Sequence, residues 1–335
     1  MAKKIAINGF GRIGRLVFRK IFELGLDKNL SIVAINDLTS AKTLAHLLKY
    51  DSAQGQFNAE VSFTEDSIIV NKHKIQVFAE RDPQDLPWAQ LGIDVVVEST
   101  GFFTSKEGAE KHIKAGAKKV AISAPATGDL KTIVYGVNDS DLTKLDTIIS
   151  GASCTTNCLA PVAQAIDEKF GIVSGFATTI HAYTGDQRLV DAPHADLRRA
   201  RSAAVNIVPS STGAAKAIGL VLPSLKGKLD GMAMRVPVIT GSVVEMVFEL
   251  EKAVSIDDIN AAVRAKASDT LAYITDPIVS SDVIGATAGS LFDAALTKEI
   301  VKADGKKIYQ VISWYDNETS YVSQFVRTLE KFSKL

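Results

Sequence analysis

The sequence predicts an α/β protein in two parts: an N-terminal doubly wound parallel sheet, then an α+β domain on a largely antiparallel sheet. Three observations carry this expectation. Over the first 150 residues, continuous Val/Ile runs alternate with helical patterns, as parallel strands covered on both faces do. A glycine-rich turn joins the first strand to the first helix. Beyond it the strands lengthen and the helices become fewer. A length of 335 residues also exceeds what one ordinary core organises, so two domains are expected, 1–150 and 151–315.

Taken in order, residues 4–8 read as a buried strand, 12–24 as a helix, 31–36 as a second strand and 39–48 as a second helix. Residues 60–77 read as antiparallel excursions rather than a crossover. The run 94–99 is another buried strand, and the helix over 105–115 stops at Gly116. Residues 119–122 and 133–137 supply further strands. In the second part, strands are expected at 175–181, 232–238, 242–250 and 307–314. Helices are expected at 255–267, with Ser255 as its cap, and at 318–332. The polar stretch 182–206, carrying Arg188, Arg198, Arg199 and Arg201, fits no regular element. Loops this long in compact domains are usually functional, although a solvated or subunit-facing surface explains the charges equally well.

Composition removes several classes. With 38 basic against 38 acidic residues, nothing recommends a general nucleic-acid or membrane-surface binder. Two cysteines give no disulfide framework, which fits a reducing cytoplasm. No apolar run approaches the roughly 18 residues of a membrane span, and the start leads directly into a strand without a signal-peptide pattern. The spacing of Cys154 and Cys158, with no second pair, is wrong for a zinc site, so no metal is expected.

Gly9-Phe10-Gly11-Arg12-Ile13-Gly14 follows a strand and opens a helix, the context that turns a weak pattern into a Rossmann-type dinucleotide fingerprint. Gly9 permits the turn, Gly11 the approach of a pyrophosphate, and Gly14 the close packing of helix on sheet. The pyrophosphate charge would face the N-terminus of the helix that begins at Arg12. Asp37 ends the second strand, about 20 residues further on, where an acid binds the ribose. It also reads as a cap for the following helix; counted with the glycines, the ribose reading leads and selects NAD over NADP.

A second signal is Ser150-Gly151-Ala152-Ser153-Cys154-Thr155-Thr156-Asn157-Cys158. Leu159, Ala163, Ile166 and Phe170 continue it as one helical face, so Cys154 stands at a helix N-terminus, where dipole and unpaired N–H groups favour the thiolate. Ser153, Thr155 and Thr156 add a cap and donors. Cys158, one turn on, reads as packing. Of the five histidines, His181 ends the strand after this helix and is the candidate base; His46, His73, His112 and His194 read as surface or structural. A hydride acceptor beside an activated thiol implies aldehyde oxidation: the thiol makes the aldehyde tetrahedral, the hydride leaves to NAD, and a thioester remains. A cofactor-free Cys/His hydrolase would have no use for the glycines.

These residues, together with Ser211-Thr212-Gly213-Ala214-Ala215-Lys216-Ala217, Gly231-Met232-Ala233-Met234-Arg235-Val236-Pro237 and Ser313-Trp314-Tyr315-Asp316-Asn317-Glu318, resemble the phosphorylating glyceraldehyde-3-phosphate dehydrogenases of glycolysis from end to end. The resemblance implies Cys154 as nucleophile and His181 as base. Thr184 and Arg235 would hold the substrate's phosphate. Ser153, Thr155, Thr212 and Gly213 would hold the attacking inorganic phosphate, with Arg199 beside the substrate site. Phe10, Arg12, Ile13, Asp37, Arg81 and Ser123 would contact NAD, Asn317 would orient the nicotinamide amide, and Tyr321 would lie near its ring. It further implies a homotetramer with the 182–206 loop at the subunit core, a kink-tolerant helix around Pro161, and a terminal segment, 316–335, returning to the first domain. A sister enzyme acting on erythrose 4-phosphate is the nearest alternative; the complete set of phosphate-attack residues favours glyceraldehyde 3-phosphate and acyl-phosphate formation.

The chain departs from the common family pattern at Gly151, Gly185, Ser320 and Ala192, the last where strictly NAD-dependent members often carry Leu. Asp37 and Pro193 keep NAD ahead. A clear preference for NAD is expected in steady-state assays, and equal kcat/KM with NADP would contradict it.

Overall fold

A computed structural model describes residues 2–335. The chain divides into two compact units. The first comprises residues up to Ile133, Asp139–Ala152 and Phe325–Leu335; the second comprises Val134–Asn138 and Ser153–Gln324.

The first unit is built from β1 (Lys3–Asn8), α1 (Arg12–Glu23), β2 (Leu30–Asn36), α2 (Ala41–Lys49), β3 (Val61–Phe63), β4 (Ser67–Val70), β5 (His73–Phe78), α3 (Trp88–Leu91), β6 (Val95–Glu98), α4 (Lys106–Lys114), β7 (Lys119–Ile122), β8 (Lys131–Thr132) and β9 (Ile148–Ser150). They form one sheet in the order β3-β4-β5-β2-β1-β6-β7-β9-β8. The Val/Ile runs pair in parallel, β1 between β2 and β6, as strands buried on both faces should. The antiparallel excursion is β3-β4-β5, whose last strand joins β2 in parallel. Residues 133–137 are not the expected strand. Pairing ends at Thr132; the Val137 N–H donates to the Val134 carbonyl (3.1 Å), the Asn138 side chain accepts from the Val134 N–H (2.9 Å), and Gly136 has φ +81. Those contacts make a turn.

The second unit contains α5 (Cys154–Phe170), β10 (Ile172–Ala182), β11 (Val208–Ser211), α6 (Ala214–Val221), β12 (Leu229–Val236), β13 (Ser242–Leu250), α7 (Ile256–Ala265), β14 (Leu271–Ile274), β15 (Ser290–Val301), β16 (Lys307–Tyr315) and the first residues of α8 (Thr319–Lys334). Its sheet runs β11-β12-β10-β13-β16-β15-β14, antiparallel except for the pairs β10–β12 and β14–β15. β15 escapes sequence reading because its register shifts between Asp293 and Lys298, so its apolar residues do not alternate. α5 runs on through Pro161 to Phe170, with almost every residue of its first half buried. That burial offsets the hydrogen bond a proline cannot donate.

The glycine turn is sterically obligatory at two points. Gly9 has φ +89, and a Cβ on Gly14 would fall 2.1 Å from the Gly9 carbonyl oxygen. Gly11 has open space around it. Gly14→Ala should therefore destabilise the first unit by about 2–3 kcal/mol, and Gly11→Ala by less than about 0.5 kcal/mol. Urea unfolding of the two variants compares them directly; similar midpoints would contradict the packing role of Gly14.

Candidate active site

At the carboxyl ends of β1 and β2 the first unit leaves donors facing outward. Gly11 precedes helix α1 as its N-cap and offers no side-chain cap, and a helix N-terminus presents backbone N–H groups and a positive dipole end. An anion such as a pyrophosphate fits that end, and the open space at Gly11 lets it approach the backbone. Asp37 accepts from the Phe10 N–H through Oδ2 (2.8 Å) and from the Thr39 N–H through Oδ1 (3.0 Å). It is thus both the loop cap and a carboxylate fixed at the strand end, each oxygen keeping a second lone pair for a hydroxyl. Phe10 itself is fully buried, its ring edge-on to Phe18, its N–H on Asp37 and its carbonyl accepting from Arg15 Nη1 (2.8 Å), so it holds the turn from within. The Arg12 guanidinium is held bidentate by Asp51 (2.8 and 3.1 Å). Arg81 is exposed, and Ser123 follows β7 with its N–H on the Glu98 carbonyl.

The chain leaves the first unit and enters α5 through Ala152, a non-glycine residue at φ +60 whose N–H is taken by Ser150 Oγ (3.1 Å). That conformation costs about 1–2 kcal/mol. Ser153 then caps the helix, its Oγ accepting from the Thr156 N–H (3.1 Å). Cys154 is the first helical residue, and its Sγ lies 3.3 Å from His181 Nε2. His181 arrives on β10, whose parallel register against β12 places it opposite Arg235. Its Nδ1 lies 2.7 Å from both the Ala182 carbonyl oxygen and Arg235 Nη1, and Arg235 Nη1 also donates to that carbonyl (3.1 Å). With Nδ1–H and Arg235 both donating to the carbonyl, Nε2 is bare toward the thiol; with Arg235 donating to Nδ1, the proton sits on Nε2.

These surroundings oppose charge on both partners. Burial lowers His181 from 6.5 to about 3, and the Arg235 cation adds to the effect. Burial also raises the Cys154 thiol, against the opposing pull of Arg235, the Thr155 hydroxyl and the N–H groups at the helix start. Desolvation thus acts on the thiol against the helix end and Arg235, and on the imidazole in the same direction as Arg235. Cys158 is wholly buried against Ser290 and Ser313 and is pushed up to about 12, which suits a packing residue.

The family models for glyceraldehyde 3-phosphate dehydrogenase match this chain twice, the NAD binding domain over residues 3–106 and the C-terminal domain over 153–317. Glyceraldehyde-3-phosphate dehydrogenase of Clostridium pasteurianum is 61% identical over 334 residues, 99% of each chain. The Clostridium acetobutylicum enzyme of that name is 60% identical over the same shares, and the Streptococcus pyogenes serotype M1 enzyme 57% over 338 residues, 100% of this chain and 99% of its own. This chain belongs to the glyceraldehyde-3-phosphate dehydrogenase family. Like that family it is an NAD-dependent oxidoreductase of two parts, a Rossmann-type unit and a mostly antiparallel one.

Around this dehydrogenase's thiol, Thr212 and Gly213 lie between β11 and α6, and Thr156 Oγ1 donates to the Ala214 carbonyl (3.4 Å), bringing the starts of α5 and α6 together. Arg199 is tied to Asp186 (2.6 Å) and to the Ser211 carbonyl (3.1 Å) beside Thr212. Thr184 follows the end of β10, two residues past Ala182, and its carbonyl accepts from the Gln187 N–H. Asn317 Oδ1 accepts from the Gly241 N–H (3.1 Å) and the Ser242 hydroxyl (2.9 Å), so its Nδ2 is the end left to donate elsewhere. Tyr321 is buried on α8.

Three side chains were not anticipated. Tyr315 OH stands between Thr155 Oγ1 (2.9 Å) and Thr179 Oγ1 (2.7 Å), and Thr179 donates to the Val243 carbonyl (3.1 Å). The hydroxyl of Thr155 is thus engaged inside the protein, and its backbone N–H is the group better placed for an anion. Ser242 links Asn317 to the β10 end by accepting from the Ala182 N–H (3.1 Å). Nothing local in the sequence marks Thr179 or Ser242; Tyr315 sat unread inside the Ser313–Glu318 motif.

The depressed His181 basicity fixes a pH signature. Below pH 6.5 the unfolded chain binds a proton there that the folded protein refuses until about pH 3. Unfolding free energy should therefore fall across that window with up to about 1.4 kcal/mol per pH unit more slope than in His181→Asn. Denaturant titrations across that window measure it, and parallel curves would remove His181 as a buried neutral base.

Proposed function

We propose that this chain oxidises glyceraldehyde 3-phosphate to 1,3-bisphosphoglycerate, with Cys154 as nucleophile and His181 as base. The observation that carries the reading is the 3.3 Å contact of Sγ with Nε2 at the capped start of α5. As sulfur adds to the carbonyl carbon, His181 Nε2 takes the thiol proton and returns it to the carbonyl oxygen, giving a hemithioacetal. NAD, when bound, accepts the hydride from that carbon. His181 removes the hydroxyl proton as the C–H bond breaks, and a Cys154 thioester results. An oxygen of inorganic phosphate then attacks the acyl carbon, the C–S bond breaks, and the sulfur leaves as thiolate beside the same helix start.

Arg235 and Thr184 hold the substrate's phosphate in this reading. Arg199, Ser153, Thr212, Gly213 and the Thr155 N–H receive the attacking phosphate. Gly9 to Gly14, Asp37, Arg81, Ser123, Asn317 and Tyr321 bind NAD. The first unit thus supplies most of the cofactor residues, and the second supplies Asn317 and Tyr321 with the thiol, the base and the phosphate residues. The loop after β10 exposes Leu189, Val190, Leu197, Val205 and Ile207, and we read these as packed against further copies of the chain in a homotetramer. A free thiol at the centre of the chemistry suits a cytoplasmic, reducing compartment.

An assay with glyceraldehyde 3-phosphate, NAD and phosphate, each omitted in turn, tests the reaction. Turnover should need all three. Cys154→Ser should lose about 10³-fold or more in kcat while still binding NAD, and His181→Asn about 10²–10⁴-fold. Turnover that persists without phosphate, or a Ser variant of ordinary activity, would overturn it.

A further inference from the structure

Behind the dinucleotide end of the first sheet lies a buried carboxylate that the reaction does not use. Glu98 ends β6 and is about as buried as any residue of the protein. Its Oε2 accepts from Asn8 Nδ2 (2.6 Å) and from His112 Nε2 (2.9 Å), and its Oε1 from the Thr100 N–H (2.8 Å) and the Thr100 hydroxyl. Four donors converge on two oxygens, the pattern a carboxylate accepts. The histidine does not neutralise it. Trp88 Nε1 donates to His112 Nδ1 (3.0 Å), and an indole N–H can only donate; His112 therefore carries its single proton on Nε2. The charge is held by hydrogen bonds alone, in a site fully desolvated, where each is worth most and is costly to lose.

What those donors belong to gives the anion its task. Asn8 immediately precedes Gly9, and its Oδ1 accepts from Asn36 Nδ2 (2.7 Å), the residue immediately before Asp37. The Thr100 backbone lies against Gly9, where a Cβ would fall 2.7 Å from its nitrogen. Through Asn8, Asn36 and Thr100 one carboxylate fixes the strand ends from which the glycine turn and Asp37 project.

We propose that Glu98, oriented by His112 and Trp88, is a positioning residue for NAD binding. The inference rests on the reading that the glycine turn and Asp37 hold NAD, so an Asp37→Ala arm accompanies its test. Glu98→Gln turns one acceptor into a donor facing other donors. It should raise the KM for NAD about tenfold or more while kcat at saturating NAD stays within about twofold. Adding Asn8→Asp restores the pattern with the charge moved. The new carboxylate can accept from Asn36, from the new amide and from His112 Nε2, which already lies 3.3 Å from Asn8 Nδ2. The double variant should return the NAD KM to within about threefold of the parent.

Should Glu98→Gln fail to fold, Trp88→Phe removes the indole donor together with part of the packing on His112 and should raise the NAD KM about threefold, and the double variant still reports rescue. An unchanged NAD KM in Glu98→Gln or Trp88→Phe, with a raised one in Asp37→Ala, overturns the positioning role alone. Unchanged values in all variants overturn the reading of the glycine turn as well. A kcat that falls in step with folded fraction, without rescue in the double variant, marks Glu98 as a stability residue only.

Discussion

The parallel register of β10 on β12 is the constraint on which the thiol site depends. It pairs His181 with Arg235 across adjacent strands, and it ends both strands at the level of the Cys154 turn. Were β10 to slip by one residue, the imidazole would face the opposite side of the sheet and no base would meet the thiol. The register is held along eight residue pairs on that side and by the antiparallel pairing with β13 on the other. Arg235 is in turn paired with Val208 of β11, which leads directly to Thr212 and α6. One pairing scheme thus delivers the imidazole, the guanidinium beside it and the second helix start. No loop has to find its place independently.

Within that frame two physical effects compete at the sulfur. A helix start and a nearby guanidinium favour a thiolate, and loss of water disfavours it. Burial pushes the Cys154 thiol up, and burial together with Arg235 pushes His181 down. In the proposed reaction the proton leaving sulfur passes to His181 Nε2 as the new bond forms, and the helix start acts later, on the thiolate that departs when the acyl group leaves.

Legibility in the sequence followed the range of the cause. Gly9 and Gly14 could be read because a positive φ and a 2.1 Å approach are demands of the local backbone. Cys154 could be read because its cap and its helix are neighbours in sequence. The Tyr315–Thr179–Thr155 chain could not, because it joins residues up to 160 positions apart whose types are unremarkable singly. Residues 133–137 look like a strand by composition alone; a glycine at φ +81 and an asparagine side chain make them a turn. His112 looked structural and is buried in a polar network that no periodicity announces. The fold class and the capped helix start at Cys154 were therefore legible, and the hydrogen-bonded networks behind them were not.

The departures from the common family pattern bear on how firmly the site is held. Gly185 has open space where a side chain would stand and has no positive φ, so glycine is no requirement there and the variation is structurally free. Ser320 is different. Its Oγ donates to the Ala286 carbonyl (3.1 Å) and accepts from the Asp316 N–H (3.0 Å), stitching the start of α8 to the turn that carries Asn317. Asp316 is itself buried, accepting from the Thr240 hydroxyl (2.6 Å) and from the Gly285 N–H (2.8 Å). A hydroxyl placed there adds bonds to an already satisfied turn and displaces none of the donors on Asn317 Oδ1. Asn317 is thereby fixed by its surroundings rather than by the identity of position 320.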